Sequence, residues 1–147
     1  MNGSKSGLTS GDQTSLEQNE YAQAVAENEA AFYEMPNHEE ALTPSVKFLQ
    51  YSLNPDNPNA RGKAEAYQKG LGYNRENANS LIEQISNAVT SGAVKPYDIS
   101  ESPYGTKYKY RIPVTGPNGK TKNVIAVYQL DKGSSIPRMI TNYLEGK

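Results

Sequence analysis

A chain of 147 residues is the size of one domain, yet only 35% of it is hydrophobic, so about a quarter is expected to stay poorly buried. With no cysteine and a single histidine, His38, it excludes a disulfide framework, a thiolate zinc site, a cysteine nucleophile and an imidazole metal site built by the chain alone. No run of 18 apolar residues predicts a membrane span, and the Ser/Gly-rich start lacks the apolar stretch of a signal peptide. The net charge of −1 divides unevenly: residues 1–45 carry one cation and eight acids, while residues 46–147 carry 14 cations and eight acids. An acidic arm beside a basic domain points to a polyanion or an acidic protein as partner, or to nothing more than a solvated helix next to an ordinary domain.

Residues 1–15 read as a flexible lead-in. An Ala/Glu/Gln-rich stretch to Tyr33 then carries a thin apolar stripe (Tyr21, Ala24, Val25, Phe32), a peripheral helix ended by Met35-Pro36-Asn37-His38. Residues 1–43 are therefore expected to be an acidic arm and residues 44–147 the folded domain. Pro44 suits the start of a short helix turning Val46, Phe48, Leu49 and Leu53 inward. The cluster Asn54-Pro55-Asp56-Asn57-Pro58-Asn59 stops it, Asn59 is placed to cap a helix from Ala60 to Lys69, and Gly70 and Gly72 can close it. Asn74 then caps a helix whose Ala78, Leu81, Ile82, Ile85 and Val89 share one face.

After Gly92 the period drops to two. Val94 to Ile99 reads as an edge strand, because Pro96 cannot donate to a ladder. From Thr106 to Thr115, Tyr108, Tyr110, Ile112 and Val114 face one way and Lys107, Lys109 and Arg111 the other. Gly116-Pro117-Asn118-Gly119 is a hairpin turn, and a type I′ connection at Asn118-Gly119 would put Ile125 and Val127 on the Tyr110/Ile112 face. Ile136 to Leu144 is a last strand or a short helix. Helices followed by an antiparallel sheet make an α+β fold, with N-terminal helices packed on a small C-terminal sheet.

The alternation also suggests a binding surface. Lys107, Lys109, Arg111 and Lys122 on the side away from the helices, with Tyr128 among them, could hold a phosphate backbone and stack a base. The plainer explanation is that strand lysines prevent edge-to-edge aggregation. His38, beside Glu39 and Glu40, reads as an ordinary exposed residue, and Asp56 as a turn former.

Several segments do more than fit a fold class. Ser52-Leu53-Asn54-Pro55-Asp56-Asn57-Pro58, Gly62-Lys63-Ala64, Leu71-Gly72-Tyr73 and Asn77-Ala78 before Leu81 are followed by Ile112-Pro113-Val114-Thr115-Gly116-Pro117-Asn118-Gly119 and by Ile136-Pro137-Arg138 ahead of Thr141 and Tyr143. In that order they resemble an uncharacterised bacterial domain family found at the C-terminal tips of secreted polymorphic toxins of the contact-dependent inhibition and Rhs types. The helices-then-sheet order also looks like the ribonuclease fold shared by barnase, EndoU, colicin D and RelE toxins. The resemblance implies a metal-independent endoribonuclease acting on tRNA, with no cofactor. It also implies neutralisation by a cognate immunity protein, and secretion within a larger effector that acts in the cytoplasm of a target cell. RelE-like enzymes work with lysine, arginine and tyrosine, so the resemblance singles out Lys63, Arg138, Thr141 and Tyr143 as catalytic, with Arg111, Lys122 and Tyr128 binding RNA. The alternative is a non-catalytic nucleic-acid- or partner-binding module of a secreted or phage protein using the same sheet face.

Overall fold

The computed structural model describes residues 34–146; the helix expected around Tyr21–Phe32 lies outside them. The packed chain begins earlier than composition suggests. Met35 and Ala41 belong to the core cluster. The Leu42 amide donates to the Pro137 carbonyl and its own carbonyl accepts from Met139, a parallel bridge beside Arg138. The boundary drawn at Thr43 falls inside this stretch. His38 is not the exposed residue expected. Its Nδ1 lies 3.1 Å from the Val89 carbonyl, and its side chain is mostly covered.

Pro44 leads into a six-residue π-helical turn, Lys47–Ser52, which buries Phe48 and is followed by buried Leu53. Val46 stays exposed, against expectation, because a π turn rotates successive side chains differently from an α-helix. Helix α1, Arg61–Leu71, buries Ala64, Tyr67 and Leu71 and closes on Gly72 in the left-handed conformation. Its N-cap position is Ala60, with no side-chain bond; Asn59 stands one residue too early to cap it, and its backbone amide donates to the Asn57 side chain. Asn74 and Asn77 form the reciprocal capping box of a 3-10 turn that runs into α2, Ala78–Thr90. Ala78, Leu81, Ile85 and Val89 are buried along α2 at the predicted spacing.

Four antiparallel strands follow in sequential order: β1 (Asp98–Ser102), β2 (Gly105–Thr115), β3 (Thr121–Asp131) and β4 (Arg138–Leu144). Strand β1 thus starts after Pro96, and the last element is a strand. This is the α+β architecture expected, with the helices on one face of the sheet.

The β2–β3 register differs from expectation by one residue, and the turn is the reason. Among the described residues only Asn37 has positive φ without being glycine, so Asn118 is not in the conformation that type I′ requires. Instead the Gly119 amide bonds the Gly116 carbonyl, Gly119 takes φ 84°, and the Gly116 amide bonds Lys120. That is a three-residue loop with a glycine bulge, which adds one residue to the connection. Tyr110 therefore pairs with Ala126 and Ile112 with Val124, while Ile125 and Val127 oppose Arg111 and Lys109. A one-residue slip moves every side chain of a strand to the other face. The loop docks on α1: a methyl group on Gly116 would collide with the Leu71 carbonyl oxygen.

The core lies between the helices and the sheet face bearing Tyr108, Tyr110, Ile112, Val114, Val124, Ala126, Tyr128 and Met139. The Tyr110 and Tyr128 rings meet edge to face at 5.7 Å. The Tyr67 hydroxyl donates to the Asn142 carbonyl oxygen at 2.8 Å, a buried polar bond that ties α1 to β4.

Candidate functional site at the last strand

Three rows of side chains cross the sheet on the face away from the helices: Lys107–Gln129–Arg138, Lys109–Val127–Thr141 and Arg111–Ile125–Tyr143. Arg138, Thr141 and Tyr143 thus share one surface with Arg111. Ile125 and Val127 remain buried in its middle, each flanked in its row by a residue with a long or ring side chain.

Lys63 reaches this surface from α1, beside the outer edge of β4, which Leu42 bridges at Arg138. Its Nζ donates to Thr141 Oγ1 at 2.9 Å and lies 5.7 Å from the centre of the Tyr143 ring. Three residues, 78 positions apart at the extremes of the Lys63–Thr141 bond, are brought into one cluster. Partial burial lowers the Lys63 pKa below the usual lysine value. Among the described residues no carboxylate forms an ion pair with it.

The arginines are differently placed. Arg138 donates from Nε and Nη2 to the two carboxylate oxygens of Asp131, at 2.7 and 3.1 Å, and Gln129 supports the same carboxylate. Arg111 makes a matching pair with Glu145 and stacks on Tyr97, 4.2 Å from the ring centre. Each arginine holds its carboxylate partner below the usual range and is itself raised by it. Both pairs are exposed, so solvent screens them and each leaves part of a guanidinium available.

Two residues expected on the binding surface are not there. Tyr128 sits on the helix side, fully buried; its hydroxyl is 2.6 Å from Thr43 Oγ1, and burial pushes its pKa up to about 12. Lys122 pairs with Val114, so it too lies on the helix side, where its stem runs past Gly70 at the strand end. Both corrections follow from the glycine bulge, which turned β3 over.

A cleft of about 260 Å³ opens beside Lys63 at the β4 edge, lined by Lys47, Tyr51, Asn59, Ala60, Lys63, Ile140 and Thr141. Lys47, Tyr51 and Asn59 were not anticipated. Lys47 and Tyr51 are four residues apart, a spacing that places side chains together on a helical turn, and this was the one available signal. The cleft contains two ammonium groups and no carboxylate. Another cleft, of about 280 Å³ between the Asn-Pro loop and α1, is lined by Asp56, Glu65 and Glu76, which disfavour a polyanion. Among the described residues no cluster of three histidine or acidic side chains could hold a metal ion, and no helix is long and apolar enough to cross a membrane.

The family described as "Domain of unknown function (DUF6883)" matches residues 34–146. No curated protein matches the chain. Among solved structures, a chain of the "Contact-dependent growth inhibition toxin - immunity protein complex from Klebsiella pneumoniae 342" shares the fold with a TM-score of 0.52 at 17% identity. The match covers 71% of this chain and 99% of that one.

Proposed function

Because the chain belongs to the DUF6883 family and its fold is similar to that of a chain from a toxin–immunity complex, we propose that it is the C-terminal toxin domain of a bacterial competition system. Its reaction is metal-independent cleavage of RNA, with tRNA as the substrate. The observation that carries this reading is the Lys63–Thr141–Tyr143 cluster at the sheet edge, next to a cleft lined by two lysines and no acid.

In such a cleavage the ribose 2′-oxygen bonds to the adjacent phosphorus and the bond from phosphorus to the 5′-oxygen breaks. The products are a 2′,3′-cyclic phosphate and a free 5′-hydroxyl. One group accepts the 2′ proton and another supplies a proton to the 5′-oxygen. Lys63, an ammonium that burial makes easier to deprotonate, accepts the first in the fraction of molecules in which it is neutral. Thr141 holds its amine in place, and the Tyr143 phenol supplies the second proton. Arg138, three residues along the same strand, offers its remaining guanidinium edge to the phosphate charge. The RNA backbone continues over Lys109 and Arg111. A cognate immunity protein covers this face, and residues 1–34 link the domain to a larger secreted effector that acts in the cytoplasm of the target cell.

The test is incubation of the pure chain with total bacterial RNA in EDTA. Discrete fragments ending in cyclic phosphate are expected, with Lys63→Ala slowing their appearance about 100-fold or more. Intact RNA in the presence of well-folded, non-toxic protein would leave the binding-module alternative in its place.

A further inference from the structure

We propose that the cleft at the β4 edge is a nucleotide subsite, in which Tyr51 is the platform for a base, Asn59 reads that base's edge, and Lys47 and Lys63 flank its phosphate. This deepens the ribonuclease reading by giving the strand a place to dock beside the reacting bond. Four observations carry it.

First, Tyr51 is 50% exposed and, with the other residues of the cleft, lines a concave wall. A half-exposed ring in a cleft offers a π-face to any base, whatever its sequence. Second, the Lys47 ammonium lies 5.6 Å from the centre of that ring, so a positive charge is already held beside the stacking surface. Third, Lys63 lines the same cleft from α1, its Nζ donating to Thr141. Fourth, among the described residues nothing pairs with the side-chain amide of Asn59; only its backbone amide is engaged, by Asn57. An amide carries donors and an acceptor side by side, the pattern that recognises the edge of an unpaired base.

The chemistry of the lining selects the ligand. A flat apolar surface, two cations and a free amide, with no carboxylate to repel an anion, fit a group that is aromatic at one end and anionic at the other. An acidic peptide would use the lysines but leave the ring and the amide without partners. A nucleotide uses all of them. The same chemistry is offered by a free mononucleotide and by a nucleotide within a single strand.

The experiment is calorimetric titration of the full chain with three probes: inorganic phosphate, a nucleoside 3′-monophosphate, and a 2′-deoxy tetranucleotide that cannot be cleaved. The mononucleotide is expected to bind at least 10-fold more tightly than phosphate. Tyr51→Ala should lose about 10-fold of that affinity, Tyr51→Phe should retain it, and Lys47→Ala should weaken all three probes. Binding of the tetranucleotide alone, abolished in Tyr51→Ala, would assign the subsite to a nucleotide within a strand. Equal affinity for phosphate and nucleotide, unchanged binding in Tyr51→Ala, or no binding by any probe would each overturn the proposal. Thermal melting of the variants confirms folding, since Tyr51 and Lys47 lie outside the core. Tyr51-dependent binding without RNA cleavage would remove the ribonuclease reading and leave the subsite standing; cleavage with Tyr51-independent binding would do the reverse.

Discussion

Between Tyr108 and Val114 the sheet turns one set of side chains toward the helices and another, Lys107, Lys109 and Arg111, away from them, and the two sides are held by different forces. The helix side is closed by shape: Tyr110, Ile112, Val124, Tyr128 and Met139 are each at most about 1% exposed, and their polar atoms are few and bonded. On the other side, among the described residues, buried Ile125 and Val127 lie between half-exposed and exposed polar side chains, with two guanidinium pairs and an aromatic stack at its margins. Substitutions on the first side should be felt as stability, and on the second as binding and catalysis.

The comparison can be broken most severely by removing part of the helix side. A chain starting at Thr43 loses Met35 and Ala41 from the core and both backbone bonds of Leu42. Deleting a buried methionine side chain alone costs about 2–5 kcal/mol, so this truncation should unfold at far lower denaturant than one starting at Glu34. Next in size is Tyr128→Ala, expected to cost about 3–5 kcal/mol in chemical unfolding, whereas Tyr128→Phe, which removes only the bond to Thr43, should cost about 0.5–1.5 kcal/mol. Neither should alter RNA affinity per folded molecule. A change in affinity with stability intact would return Tyr128 to the binding surface.

The turn that sets the two faces gives a smaller effect. Gly119→Val forces a branched residue into the left-handed conformation, at a cost of about 1–2 kcal/mol. Unchanged stability would mean that the bulge does not hold the register. On the open side, Arg111→Ala should lower the unfolding midpoint only slightly, since its pair with Glu145 is exposed. It should lower the salt dependence of RNA binding by roughly one unit for each phosphate that the guanidinium neutralises. The smallest effect is on pH dependence. Asp131 and Glu145 have pKa values below the ordinary 3.8 and 4.5 because Arg138 and Arg111 favour their charged forms. In acid the folded chain therefore binds fewer protons at these sites than the unfolded chain. The stabilisation is present above the ordinary values and disappears as pH falls through the lowered ones. A double variant, Asp131→Asn with Glu145→Gln, should flatten that acid slope slightly.

Much of the fold was legible because it depends on local chemistry. The Asn74 cap, the stripe from Ala78 to Val89 and the alternation of β2 are written at spacings that one helix or one strand can satisfy alone. The faces of β3 were not, because they depend on whether Asn118 and Gly119 both take positive φ or Gly119 alone does, and a central run of buried residues on both faces removes the alternation that would reveal it. The site shows the same division. Lys63, Arg138, Thr141 and Tyr143 stood out through resemblance, and three of them converge. Lys47 and Tyr51 did not, since a six-residue π turn carries little periodic signal and their nearness to Lys63 is made by tertiary packing.

Among the described residues the four strands pair with their neighbours in sequence, as successive hairpins, but the segment ahead of the π turn is fastened by contacts of another kind. Leu42 lies beside Arg138, and Thr43 reaches Tyr128 across 85 residues. Closing so long a loop is entropically the most demanding step of folding, so these contacts should form late. Within the described residues, tension from the N-terminal side meets buried Met35, the Asn37–Ser135 bond and the His38–Val89 contact before it reaches Leu42 and Thr43. Once all of these part, the π turn follows them out of the core, the Leu42 side of β4 is uncovered, and each remaining hairpin can be drawn out in turn with no crosslink to stop it. A chain pulled through a narrow channel from that end would unravel by small steps, and on the far side would rebuild its hairpins locally before the clasp closes again.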